Sequence, residues 1–338
     1  MLNIGIPSTL FYYVHYPLWK TFFEELDVQI ITSGKTTRQL LDYGVREALA
    51  DACVPIKVFF GHVISLIGQV DYIFIPRIVC LDKKTVYCPK FLGLPDMIRY
   101  SVANMPPIID VRIDNRQRSD NLSAAFYKIG ATIGKTPQQV SRAVAKAKAS
   151  QRKFQRLLLG GRQPLEAMDI VLNKAVENLV NKAPQADSQK KLTFAVVGYP
   201  YILHDYYVSS GVINKLRQMN INVVTTDNIA PLFLKLQRLE NSKRMFWTFS
   251  ERTLRSASYF FKRKNIDGII HLSAFGCGPD SIVDRFFQLK HQKTAERANT
   301  IPFMSLVVDE QSGEAGMATR LEAFVDMVKR KKGAFFHA

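Results

Sequence analysis

Three cysteines in this chain stand beside proline or glycine, where the backbone is expected to turn. They are Cys53 in Ala-Cys-Val-Pro, Cys88 in Tyr-Cys-Pro-Lys and Cys277 in Gly-Cys-Gly-Pro. A turn of this kind exposes backbone N–H groups and can present a thiolate to a cleft. Because thiolates are soft ligands, they suit an iron–sulfur cluster better than a hard cation. We predict that these cysteines bind one cluster of the [4Fe-4S] type, with one iron open to water or substrate.

The long spacing of the cysteines leaves other interpretations open. Free cysteine is among the most buried residue types, so the thiols could simply pack in the core. Structural zinc usually takes four Cys or His ligands in close pairs such as C-x2-C. No pair in this chain has that spacing, although Cys80 and Cys88 could act together with a distant residue. Cys80 is a possible fourth cluster ligand, but packing is the preferred interpretation for it.

Three polar residues near these motifs are candidates for catalysis: Lys57, His271 and Ser281. Lys57 follows the first cysteine motif and could offset the charge of the cluster, or it could be solvated. His271 ends a predicted strand near Cys277, where it could contact a cluster ligand or deliver a proton. Ser281 and its neighbour Asp280 could bind a ligand on iron, although such residues more often cap a helix.

Two segments of the chain repeat the same order of elements at an offset of 193 residues. The first begins Ile4-Gly-Ile-Pro7 and reaches a second apolar run at 28–32. The other begins Val197-Gly-Tyr-Pro200 and reaches its second apolar run at 221–225. An apolar run, a turn, a helix and another apolar run form a βαβ unit. The repeat predicts two flavodoxin-like or Rossmann-like α/β lobes with parallel sheets, related by internal duplication.

These elements predict three parts of the chain: a first lobe over residues 1–115, a basic helical insert over 116–190 and a second lobe over 191–338. A helix is predicted over 38–52, so that Cys53 would close it. In open parallel sheets, ligands bind beyond the carboxyl ends of the strands. A cleft between the lobes could therefore gather cysteines from both of them.

The net charge of +17 is the strongest feature of the composition. Basic residues are concentrated between Arg116 and Arg162, where acids are sparse. This segment could attract an acidic protein or a phosphorylated ligand, or it could be a solvated helical face. A further interpretation is a basic protein that binds anions or nucleic acid and whose cysteines only pack in the core. Nucleic acid ranks low because few aromatic residues accompany the charges, namely Phe126, Tyr127 and Phe154.

The composition also indicates the cellular setting. Four cysteines in 338 residues do not form a disulfide framework, so we expect a reducing cytoplasm. No window reaches 18 uninterrupted apolar residues, so we expect no membrane-spanning helix and no membrane partner. The first residues, MLNIGIPSTLFYY, are typical of a first strand rather than of a signal peptide.

Longer motifs around the cysteines point to one family. They are Tyr16–Leu26, Cys53–His62, Cys88–Asp96, Gly276–Ser281, Asp309–Gly316 and Thr319–Phe324. On these motifs the chain resembles the acyl-CoA dehydratase activase-related proteins, relatives of the 2-hydroxyacyl-CoA dehydratase and benzoyl-CoA reductase subunits. The resemblance covers both lobes, from about residue 2 to residue 330, and the helical insert contributes little to it.

The resemblance implies an oxygen-sensitive iron–sulfur protein with two flavodoxin-like lobes around a cysteine-bound cluster. A separate ATPase with an actin-like fold, the activase, delivers a low-potential electron to such proteins with ATP hydrolysis. Cys53, Cys88 and Cys277 match the family's cysteine motifs, whereas Cys80 does not. Because some relatives carry a double-cubane cluster, that cluster type stays open.

The resemblance leaves the reaction undecided. The dehydratases are heterodimers that act on CoA thioesters, and no motif in this chain identifies CoA. A homodimer or heterodimer and a CoA-thioester or other small-molecule substrate are implied by analogy. The turns at Gly5–Ser8 and Gly198–Pro200 do not match a phosphate-binding loop, so we expect ATP hydrolysis on the activase. The chain would be a reductase or dehydratase component, or a non-catalytic cluster carrier or scaffold that docks on the activase.

Overall fold

A computed structural model of the chain describes residues 1–173, 192–237, 245–295 and 300–334. The chain forms two compact units. Unit 1 contains Met1–Ala183 with Met245–Phe249, and unit 2 contains Pro184–Arg244 with Ser250–Ala338.

The strands of unit 1 are, in chain order, β1 (Leu2–Ile6), β2 (Val28–Thr32), β3 (Tyr72–Phe74), β4 (Arg77–Cys80), β5 (Ile108–Ile109) and β6 (Arg112–Asp114). Four of them form a parallel sheet in the order β2-β1-β3-β5, and β4 pairs with β6 in a separate parallel pair. Strand β1 is apolar and its last three residues are buried, as expected for a central strand covered on both faces. The winding direction reverses between β1 and β3, which makes their carboxyl ends the switch point of the sheet.

The helices of unit 1 are α1 (Tyr12–Glu24), α2 (Arg38–Glu47), α3 (Val54–Ile64), α4 (Pro89–Ser101), α5 (Leu122–Thr132), α6 (Pro137–Leu159) and α7 (Pro164–Leu172). Helix α1 buries an aromatic face, and the ring centroid of Trp19 lies 4.7 Å from that of Phe74 and 5.1 Å from that of Phe126. Helix α6 packs along α1, where the Gln151 side chain donates to the carbonyl of Val14 at 2.8 Å. The described helices of the predicted insert therefore belong to the core of unit 1.

Helices α2 and α3 approach each other at two glycines. A β-carbon added to Gly44 would overlap the carbonyl oxygen of Lys57, and one added to Gly61 would overlap that of Leu40. Only a residue without a side chain allows the two backbones to meet in this way. Helix α3 is also fixed by the buried His62, which hydrogen-bonds to two hydroxyl groups between β2 and α2. His62 is therefore a core residue whose ring nitrogens both have hydrogen-bond partners.

Unit 2 repeats the plan of unit 1. Its strands are β7 (Thr193–Gly198), β8 (Asn222–Thr225), β9 (Gly268–Ala274) and β10 (Phe303–Val308), and its helices are α8 (Pro200–Leu203), α9 (Val212–Gln218), α10 (Pro231–Leu236), α11 (Thr248–Phe260), α12 (Gly278–Ala295) and α13 (Glu314–Ala334). The sheet is parallel, in the order β8-β7-β9-β10. When the strands are numbered within each four-stranded sheet, both sheets have the order 2-1-3-4, which begins the flavodoxin-like order. The prediction of two duplicated α/β lobes is therefore confirmed.

Candidate cysteine site

Cys53 and Cys88 are the residues directly before helices α3 and α4. Cys53 has an extended backbone conformation, and each helix carries proline in its first turn, at Pro55 and Pro89. Proline suits this position because the first N–H groups of a helix need no intrahelical partner. The prediction that Cys53 closes a helix over 38–52 is wrong, since α2 ends at Glu47 and Cys53 begins the next helix.

The two cysteines are also neighbours in space. Burial raises the pKa of the Cys88 thiol, and the nearby Cys53 sulfur raises it further, whereas the backbone N–H and the ammonium group of Lys90 act in the opposite direction. Both cysteines are partly exposed. Unit 1 therefore assembles two thiols at adjoining helix N-termini, where the backbone N–H groups favour negatively charged ligands.

Cys277 occupies the same kind of position in unit 2. It is 8% exposed and directly precedes α12, whose first turn contains Pro279. The backbone N–H and the hydroxyl of Ser281 both donate to the carbonyl oxygen of Cys277, each at 2.9 Å. The candidate hydroxyl of Ser281 is thus used by the backbone of its own helix.

Among the parts of the chain that the structure describes, no three His, Cys, Asp or Glu side chains are grouped so that they could hold a metal ion. The thiol pair of unit 1 by itself supplies two ligands rather than a complete set. Structural zinc needs a close group of protein ligands, and the described ranges contain no such group.

Cys80 is the last residue of β4. It is completely buried, and its thiol donates to Asp82 Oδ1 at 3.8 Å. Burial is the main reason why the pKa of this thiol is raised. Asp82 also accepts the backbone N–H groups of Lys84 and Thr85 at 2.8 Å, so it organises the turn after the strand. These contacts agree with the preferred interpretation that Cys80 packs in the core.

The catalytic candidate Lys57 lies inside the protein. Lys57 lies in the first turns of α3 and is 6% exposed, so the alternative that it is solvated is wrong. The burial follows from the close crossing of α2 and α3, which covers this part of the helix. A buried ammonium group one turn after Cys53 can act on a nearby negative charge with little screening by solvent.

His271 lies within strand β9 rather than at its end, because the strand continues to Ala274. The imidazole is completely buried, with Nδ1 at 3.1 Å from Asp284 Oδ1 and Nε2 at 3.3 Å from Asp280 Oδ1. Burial alone would lower the pKa of His271, but the two carboxylates outweigh it and raise the pKa to about 9. Asp280 lies in the first turn of α12, so the interaction between His271 and Asp280 holds the helix that follows Cys277 against strand β9.

Arg77 is a positioning residue that sequence reasoning missed. Its guanidinium lies at the start of β4, with Nη2 at 2.6 Å from Asp96 Oδ1 and Nε at 3.0 Å from Asp110 Oδ2. It also donates to the carbonyl of Leu92 at 3.2 Å. Asp96 and Leu92 belong to α4, so Arg77 fixes the helix that Cys88 begins. No local pattern signals these partners, because they lie far apart along the chain.

Helix α6 carries much of the basic charge and contains no acidic residue. Its basic residues are Arg142, Lys146, Lys148, Arg152, Lys153 and Arg156. The aromatic rings that nucleic-acid stacking would need are mostly inside, since Phe126 and Phe154 are buried and only Tyr127 is exposed. In the described parts of the chain, no helix combines the length and the apolar character needed to cross a membrane.

Comparison with known proteins places most of the chain in one family. The family described as the CoA enzyme activase uncharacterised domain matches residues 3–229, about two thirds of the chain. The matched segment contains Cys53 and Cys88 and ends before Cys277. No curated protein matches the chain. The chain therefore belongs to the CoA enzyme activase domain family, and its role is related to the acyl-CoA dehydratase system.

Proposed function

We propose that the chain is an iron–sulfur component that receives low-potential electrons from an ATP-dependent activase in this system. Cys53, Cys88 and Cys277 would be its cysteine ligands. The observation that carries the proposal is the pair of neighbouring cysteines at the starts of α3 and α4, inside the segment matched by the family.

The thiol pair of unit 1 has the donor chemistry that a cluster needs. When bound, an iron–sulfur cluster would supply a low-potential one-electron centre. Two adjacent thiolates repel each other, which is one cause of the raised pKa of Cys88, and a cationic iron centre would remove that cost. The backbone N–H of Lys90, in the first turn of α4, hydrogen-bonds to the Cys88 thiol and would stabilise its thiolate form.

Lys57 and Arg77 would support this site in different ways. The buried ammonium group of Lys57 would offset part of the negative charge of a thiolate-bound cluster. The ion pairs of Arg77 would hold α4, and with it the Cys88 backbone, in one position. In this proposal the electron donor is a separate ATPase with an actin-like fold, and the electron acceptor is a CoA thioester or another small molecule.

The test is anaerobic purification followed by iron and sulfide quantitation and EPR spectroscopy. Cys53→Ser, Cys88→Ser and Cys277→Ser are each expected to lose most of the iron. Cys80→Ala is the matched control and should keep it, because this thiol contacts Asp82 within the core. An iron-free wild-type protein, or equal iron in all four variants, would overturn the proposal.

A second experiment separates an electron-accepting enzyme component from a carrier or scaffold. The iron-loaded protein is mixed anaerobically with the activase, a reductant and either ATP or a non-hydrolysable analogue. If the chain accepts ATP-gated electrons, the EPR signal of its own cluster should change only with ATP. A cluster whose signal is indifferent to ATP would support the scaffold function instead.

A further inference from the structure

Helix α6 presents a row of cations to solvent. One side of the helix is buried in unit 1 and includes Val140, Ala143 and Phe154. The other side carries four exposed basic residues, which we call the basic stripe: Arg142, Lys148, Arg152 and Arg156. With a rise of about 1.5 Å per residue, the basic stripe extends over about 21 Å of the helix.

The basic stripe differs from the cations around it, which have acidic partners. Neighbouring basic residues of unit 1 form ion pairs, namely Lys128 with Asp120, Lys135 with Asp27, Lys146 with Glu25 and Arg162 with Glu166. None of the four side chains of the basic stripe forms an ion pair or a hydrogen bond with another described residue. Their charges are therefore compensated by solvent and salt rather than by the described part of unit 1.

The spacing of the basic stripe works against the stability of α6. Lys148, Arg152 and Arg156 follow one another at intervals of four residues. Side chains at this interval are neighbours on the surface of a helix, and like charges there repel each other and destabilise it. Proteins break local rules of this kind mainly at functional sites. The repeated interval therefore points to a binding surface rather than to a face that is only solvated.

The partner of such a surface must be anionic, and the chemistry of α6 favours a protein over nucleic acid. Single-stranded nucleic acid stacks its bases on exposed aromatic rings. The one aromatic residue of α6 is Phe154, which is 1% exposed. An interval of four residues corresponds to about 6 Å along the helix axis, and carboxylates at every fourth position of a second helix have the same spacing. The small exposed residues Ala145 and Ala149 lie between the cations and would let a second helix approach.

We propose that the basic stripe of α6 is a docking surface for an acidic helix of a partner protein. Carboxylates of that helix pair with the cations and relieve the repulsion between them. Because the charges are exposed, the attraction acts mainly on the rate of association and weakens as salt is added. The proposal does not depend on a cluster, so iron content and docking are tested independently of each other.

The test measures the affinity of the full chain for labelled probes by fluorescence anisotropy. The acidic probe is an alanine-rich helical peptide of about 20 residues with glutamate at every fourth position. An oligothymidine of equal charge is the nucleic-acid probe. The stripe variant combines Lys148→Gln, Arg152→Gln and Arg156→Gln. The matched control variant removes three exposed charges from α13 instead, by Arg320→Gln, Lys329→Gln and Arg330→Gln.

We expect the stripe variant to bind the acidic peptide at least about ten-fold more weakly than the wild type, and the control variant to stay within about two-fold of it. Raising the salt from about 10 mM to about 150 mM should also weaken the wild-type affinity by about ten-fold. The unfolding midpoint of the stripe variant should equal or exceed that of the wild type, because the repulsion along α6 is removed. Unchanged binding by the stripe variant, an equal loss in the control variant, or stripe-dependent binding that is tighter for oligothymidine would overturn the proposal.

A charge reversal keeps the test decisive if the neutral variant loses binding for another reason. The combination Lys148→Glu, Arg152→Glu and Arg156→Glu should lose the glutamate peptide and gain a matching peptide with lysine at the same positions. The wild type should bind that lysine peptide at least about ten-fold more weakly than the reversed variant does. A reversed variant that prefers neither peptide would also overturn the proposal.

Discussion

Lowering the pH from 7 to 5 is expected to destabilise unit 1 through His62 of α3. The imidazole is completely buried, with Nδ1 at 2.7 Å from Ser33 Oγ and Nε2 at 2.9 Å from Thr36 Oγ1. A neutral ring can donate to one hydroxyl and accept from the other. Burial lowers the pKa of His62 to about 4, because the charged ring would lose its hydration.

The size of the effect follows from the two pKa values. An unfolded chain binds the proton with a pKa of about 6.5, whereas the folded pKa of His62 is about 4. The folded state therefore keeps its full stability above about pH 6.5 and loses it as the pH falls through 4. The complete loss is about 3 kcal/mol, and about 2 kcal/mol of it has occurred by pH 5. Set against a typical total of about 5–15 kcal/mol, this loss is large enough to measure.

Urea unfolding followed by tryptophan fluorescence is the appropriate assay, because Trp19 and Trp247 both belong to unit 1. The wild type should lose about 2 kcal/mol more between pH 7 and pH 5 than His62→Gln, whose amide forms hydrogen bonds but does not titrate. Equal losses in the wild type and His62→Gln would refute the reasoning.

Two further predictions concern the packing of each unit. In unit 2 the pKa of His271 is raised to about 9, so the stability that the charged ring contributes is fully present below about pH 6.5 and is lost as the pH rises through 9. Asp284→Asn should therefore lower the free energy of unfolding at pH 6 and reduce the loss of stability between pH 7 and 9, as followed by circular dichroism. The same pH dependence in the variant and the wild type would contradict this prediction. In unit 1, Gly44→Ala should lower the free energy of unfolding by about 3 kcal/mol or more, because the added β-carbon meets the backbone of α3. Gly93→Ala is the control and should be neutral or slightly stabilising, because its β-carbon meets nothing within 4 Å. Similar unfolding midpoints for the two variants would count against the close crossing of α2 and α3.

Much of the architecture is readable from the chain because it depends on local pattern. Apolar runs that begin at Ile4 and Val197, each followed by a Gly-x-Pro turn and a helix, predict the βαβ units that the structure contains. The prolines next to Cys53, Cys88 and Cys277 mark points where one element ends and a helix begins. Such signals act over a few residues, so a single sequence carries them.

Helix boundaries near the site were less predictable. The sequence favours one helix over 38–52, but the structure has α2, a turn closed by the hydrogen bond from Ala52 N–H to the carbonyl of Leu49, and then α3. The break exists because Gly44 and Gly61 let two helices cross, a contact between residues 17 positions apart. The same crossing buries Lys57, which sequence reasoning left as either functional or solvated.

The amino-acid sequence by itself determines the duplicated α/β plan and the proline or glycine neighbours that make the chain turn at three of its cysteines, because each depends on the local pattern of the chain. Tertiary structure alone decides which side chains meet. It brings Cys53 beside Cys88, gives His271 two carboxylate partners, and lines one end of a sheet with aromatic rings. The physical reason is that burial, pKa and ligand geometry depend on groups that are distant along the chain and close only after folding.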